Sequence, residues 1–131
     1  MKELTRAEDE IMQVLWKLEK AFVKDIVETL PEPKPAYTTV STIIRILEKK
    51  GFVTHRPFGK TYEYSAKISK DEYKKRFLKS FVRRYFGDSL PEMVSFFASG
   101  RDLTLAELEE LQDLLRDEIR RQKAGAGGEK A

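Results

Sequence analysis

AYTTVSTIIRILEKKGFVTHRPFGKTYEYSA, residues 36–66, decides the fold. Val40, Ile43, Ile44 and Leu47 fall at i, i+3, i+4 and i+7, which puts one apolar stripe of a helix against a core. At about 100° per residue, Thr38, Ser41, Thr42, Arg45 and Lys49 project from the other side. That set has hydroxyls and cations but no carboxylate, a composition suited to phosphates and base edges. Gly51 ends the helix, and FVTHR and TYEYS read as two strands joined by PFGK, with Gly59 permitting the turn. A helix with such a face, followed at once by a basic hairpin, predicts a winged helix-turn-helix.

Charge supports the same stretch. Residues 37–67 carry 6 Lys/Arg against 2 Asp/Glu, whereas residues 104–131 carry 5 against 7, so the positive excess coincides with the helix and hairpin. A polyanion selects for such a local excess. Arg45 is the candidate for bidentate contact with guanine or for a phosphate clamp. Arg56 and Lys60 flank the hairpin turn, where they would touch the DNA backbone or minor groove. Lys49 and Lys50 are equally suited to solvent or phosphate. Thr38 and Thr39 also suit an N-cap, which is compatible with offering amides to phosphate. Tyr62 and Tyr64 alternate onto one strand face and are expected in the core, with His55 on the strand surface.

Several function classes are disfavoured. The chain has no Cys and one His, which removes disulfides, thiolate metal sites and histidine-built metal or acid–base sites. No phosphate-binding glycine loop and no nucleophile beside a base is present. An enzyme is therefore not expected, nor a cofactor or metal. No apolar run approaches the roughly 18 residues of a membrane span and no signal-like apolar segment follows Met1, so a cytoplasmic protein without membrane insertion is expected.

Working outward, Ser or Thr precedes Glu by three residues at Thr5/Glu8, Ser69/Glu72, Ser89/Glu92 and Thr104/Glu107, the capping-box spelling of a helix start. The first helix should run from Thr5 to about Glu19, burying Ile11, Leu15 and Leu18 with Trp16 at its edge. AFV suggests a brief strand, and a second helix covers about Lys24 to Leu30 before the prolines at 31, 33 and 35. The expected core of this domain includes Leu15, Ile26, Val40, Ile44, Leu47, Phe52 and Tyr64.

From Ser69 onward the pattern is purely helical. Tyr73, Phe77, Phe81 and Tyr85 belong to an apolar arc too wide for one partner, and Leu105, Leu108, Leu111, Leu115 and Ile119 share one side of a last helix ending near Gln122. Three helices in about 55 residues cannot bury all of these groups alone. The expected fold is mainly α with a small β-hairpin: a winged-helix DNA-binding domain over 1–68, a helical dimerisation module over 69–123, and a disordered tail over 124–131.

LTRAEDEIMQVLW, YTTVSTIIRILEKKGFV and GKTYEYS, with the helical segment behind them, resemble the penicillinase and methicillin-resistance repressor family, the BlaI/MecI-type regulators, over about residues 4–120. The resemblance implies a homodimeric winged-helix repressor on an inverted-repeat operator in double-stranded DNA, with Thr38, Thr39, Ser41, Thr42 and Arg45 at the family's recognition-helix positions. In its best-known members a membrane sensor with a metalloprotease domain answers a β-lactam, and the repressor is then cut between Asn and Phe in a short linker helix. The matching bond here joins Phe96 to Phe97, so the Asn is replaced. The family's copper-responsive branch uses a cysteine-rich C-terminal motif that this chain lacks. The alternative in a different class is a winged-helix module that binds protein without specific DNA recognition, because a fold does not fix a function.

Overall fold

The computed structural model describes residues 3–126, in two compact units divided between Ser80 and Phe81. The first unit begins with α1 (Arg6–Leu18), whose start is closed by a full capping box. The Glu8 amide donates to Thr5 Oγ1 at 3.2 Å, and the Thr5 amide donates to Glu8 Oε1 at 2.9 Å. Two of the four orphan amides of the first turn are satisfied reciprocally. A two-residue strand, β1 (Lys20–Ala21), leads into α2 (Val23–Thr29). Lys34 Nζ closes the end of that helix by donating to the carbonyls of Glu28 at 2.9 Å and Leu30 at 2.6 Å.

The third helix, α3 (Tyr37–Lys50), stops at Gly51, whose φ of +89° is costly for any residue with a Cβ. Next come β2 (Val53–Phe58) and β3 (Thr61–Ala66), antiparallel with Phe58 opposite Thr61, so the turn is the pair Gly59–Lys60. The strands reach further than the sequence indicated, because Pro57 and Phe58 stay in register rather than forming the loop. Sheet order is β1-β3-β2, with Ala21 opposite Tyr64.

All seven expected core residues are buried, joined by Ile11, Met12, Val23 and Val53. Leu18, expected to be buried in the first helix, is instead 37% exposed. It lies on the apolar stripe but at the last residue of α1, where the chain turns away through Glu19 at φ +72°. Tyr62 also departs from expectation: Tyr64 is buried, whereas Tyr62 is 46% exposed. Trp16 is half-buried, and its indole N–H donates to the Ile68 carbonyl at 2.9 Å.

The helix that follows, α4 (Lys70–Phe86), starts inside the first unit. Tyr73 packs its ring 5.7 Å from Trp16 and 5.9 Å from Phe52. Residues 69–80 thus cluster with the winged helix through a side chain that the sequence had set aside for a second subunit. Burial pushes the Tyr73 phenol above its ordinary range, partly offset by a hydrogen bond with the Leu4 backbone.

The second unit holds the end of α4, then α5 (Leu90–Ser99) and α6 (Leu105–Ala126). Residues 124–126, expected in the tail, continue α6, and the rest of that tail lies outside the described residues. The Thr104/Glu107 box closes in both directions, and the hydroxyls of Ser69 and Ser89 accept from the amides of Glu72 and Glu92. Within this unit Val82 is the only buried hydrophobic side chain among the described residues. Phe81, Phe86, Met93, Val94, Phe96 and Phe97, with Leu103 and Leu111, line an entirely apolar cleft of about 450 Å³.

Candidate nucleic-acid interface

The polar face of α3 emerges as the sequence phased it. Val40, Ile44 and Leu47 are buried, while Thr38, Thr39, Thr42, Arg45 and Lys49 are exposed and Ser41 is half-buried at the margin. The N-cap is Ala36, which provides no side-chain cap, so Thr38 and Thr39 are not the N-cap pair. Both stand inside the first helical turn, where the uncapped amides and the positive end of the helix dipole favour an anion.

Glu48, the one carboxylate of α3, is turned to the wing and bonds His55 Nδ1 at 2.5 Å. The His55 ring lies 4.3 Å from Tyr62 and 5.7 Å from Tyr64, so the last turn of α3 is fastened to the hairpin by a hydrogen-bonded and aromatic cluster. Arg45 belongs to the same joint. Burial pushes the Tyr64 phenol up, the Glu48 charge adds to this, and a hydrogen bond and charge from Arg45 partly offset it. The exposed Arg45 side chain therefore lies within electrostatic reach of the Tyr64 phenol.

The cations separate into two groups. Lys60 is exposed in the hairpin turn, and Arg56 is exposed on β2 with its Nε held by Glu63 Oε1 at 2.9 Å across the strands. That pairing neutralises part of the Arg56 charge and leaves its terminal nitrogens for another acceptor. Lys50, by contrast, turns inward and donates to both oxygens of Glu8, at 2.8 and 2.9 Å. It ties α3 to α1. Glu8 is 5% exposed. Burial pushes its carboxyl up, but the hydrogen bonds from Lys50 and the Thr5 amide and the Lys50 charge outweigh that and hold it below its ordinary range.

Two side chains absent from the sequence-derived set stand on or beside the same surface. Tyr37, the first residue of α3, is exposed, and so is Ile46. An aliphatic residue three positions after Ile43 reads as core by count, and only its angular position shows otherwise.

A helix, a short strand, two further helices and a two-stranded wing, with a carboxylate-free polar face on the third helix, define a winged helix-turn-helix. The family model for the penicillinase repressor matches residues 4–117, and the chain belongs to that family. It is a DNA-binding transcriptional repressor family. The chain is similar to the penicillinase repressor of Staphylococcus aureus, 29% identical over 116 residues that cover 88% of this chain and 92% of the relative. It is similar to the methicillin resistance regulatory protein MecI of Staphylococcus aureus strain N315, 28% identical over 114 residues, covering 86% and 93%. Among solved structures, the DNA-binding domain of the repressor BlaI aligns at 27% identity and a TM-score of 0.48, covering 56% of this chain and 94% of that one. No helix among the described residues is long and apolar enough to cross a membrane.

Proposed function

We propose that the protein is a homodimeric repressor that occupies an inverted-repeat operator, with α3 of each copy in the major groove. The observation that carries this is the polar face of α3, whose only carboxylate is drawn off by His55. Thr38, Thr39, Ser41, Thr42 and Arg45 contact base edges and nearby phosphates, while Lys49, Arg56 and Lys60 neutralise backbone. The dimer forms through Phe77, Phe81, Tyr85, Leu105, Leu108, Leu111, Leu115 and Ile119. Of these all but the half-buried Phe81 are exposed, and Leu105 is exposed to 72%. Exposed apolar side chains in such number are what a second copy would cover.

Release follows from loss of the same face. Phe96 is 68% exposed, so a separate protease can reach the neighbourhood of the Phe96–Phe97 bond once α5 unwinds locally. Hydrolysis there detaches α6 from the rest of the dimer module. A membrane sensor protease is the corresponding partner by the family resemblance, and control of antibiotic resistance the corresponding role by analogy with the relatives' names.

Salt titration of binding tests the reading. A DNA binder neutralising several phosphates loses affinity with a log–log slope of about −0.9 per phosphate. A flat dependence, with capture of a protein ligand instead, would favour the interaction-module alternative.

A further inference from the structure

We infer that Ile46 reads sequence, packing against the 5-methyl group of a thymine in the major groove as the end of a methyl-bearing ridge with Thr39 and Thr42. The inference rests on the proposed role of α3 as recognition helix. Among the aliphatic residues of α3, Val40, Ile44 and Leu47 are buried and Ile43 is half-buried, whereas Ile46 is 41% exposed. Its position explains the difference. Thr39, Thr42 and Ile46 are spaced i, i+3 and i+7, which places them within an arc of about 60° and about 10.5 Å along the axis. Thr38, Arg45 and Lys49 form a neighbouring row of donors within about 40°. The ridge spans about three base-pair steps at roughly 3.4 Å each.

The two rows answer two halves of the major-groove code. Guanine presents acceptors at N7 and O6, which the donor row matches, and thymine presents a methyl group, which only an apolar contact recognises. An isoleucine left in water on an otherwise polar face gains by covering such a methyl, and the threonine methyls extend the contact towards the start of α3.

The test begins with full-length protein and a randomised duplex pool, from which the bound half-site is selected. In the selected duplex each thymine is replaced in turn by 2′-deoxyuridine, which removes only the 5-methyl group. Affinities are measured for wild type, Ile46→Ala and Ile46→Val, with thermal melts confirming that these surface substitutions leave the fold intact. We expect wild type to lose about three- to tenfold at one thymine, the size of one buried methyl group or slightly more. Ile46→Ala should bind the parent duplex that much more weakly and lose nothing further on deoxyuridine at that thymine, with Ile46→Val between. Wild type indifferent to every replacement, a selected half-site without thymine, or an undiminished penalty in Ile46→Ala would overturn the assignment. Failure to select any sequence would instead sink the specific-binding reading beneath it.

Discussion

At the scale of single residues, the paired charges separate structure from recognition. Glu8 accepts from Lys50 and caps α1 at once, so Glu8→Gln should lower stability by about 1–2 kcal/mol at neutral pH, less than for a fully buried pair because Lys50 still touches solvent. The folded Glu8 carboxyl lies below its unfolded value, so its contribution is complete above roughly pH 4.3 and is lost as pH falls through the folded value. Denaturant midpoints of wild type and variant should therefore differ at pH 7 and converge in acid. Arg45→Ala should cost about 1–3 kcal/mol of operator binding and relax preference at one position of each half-site, as measured on single-base operator variants. The exposed hydroxyls and Arg45 were legible from the sequence because one helix fixes their phase. The role of Lys50 was not, since it depends on Glu8, 42 residues earlier in the chain.

At the scale of elements, α3 and the wing act as one piece because Glu48, His55 and Tyr64 fasten them. Lys60 sits in the two-residue turn at the far end of that piece. Lys60→Ala should weaken binding to all sequences alike and flatten the salt slope by about one unit per half-site, read from titrations at several salt concentrations. The starts of α1, α4, α5 and α6 were legible because capping is local, and the buried stripe of α3 was legible from its periodicity, whereas the start of α3, which has no side-chain cap, was not. Strand ends and the partner of Tyr73 were not. Pro57 and Phe58 look like loop until cross-strand pairing is considered, and Tyr73 looks like any other residue of a wide apolar arc until Trp16 and Phe52 meet it.

At the scale of the whole molecule, the first unit has a full core and the second has one buried hydrophobic side chain among its described residues. Truncation after Ser80 should leave a folded monomer, whereas truncation after Ser69 removes Tyr73 from the winged domain and should lower its melting temperature by several degrees. Both truncations should bind a full operator far more weakly than the intact chain, since joining two half-site contacts raises the effective concentration of the second to roughly millimolar. Sedimentation and operator titration of the two fragments would check this. Leu115→Asp in the intact chain should shift sedimentation towards monomer at micromolar concentration, because it sets a charge in the middle of the apolar face of α6.

The bond from Trp16 to the Ile68 carbonyl has an optical consequence. Trp16 is the sole tryptophan of the chain. Its emission therefore reports the seam between α1 and the start of α4, while far-ultraviolet circular dichroism also sees the long helices of the second unit. Followed by both signals, dilution and denaturant should give traces that do not overlay. Ellipticity should be lost first and at a midpoint that rises with protein concentration, while emission should shift later at a midpoint that does not.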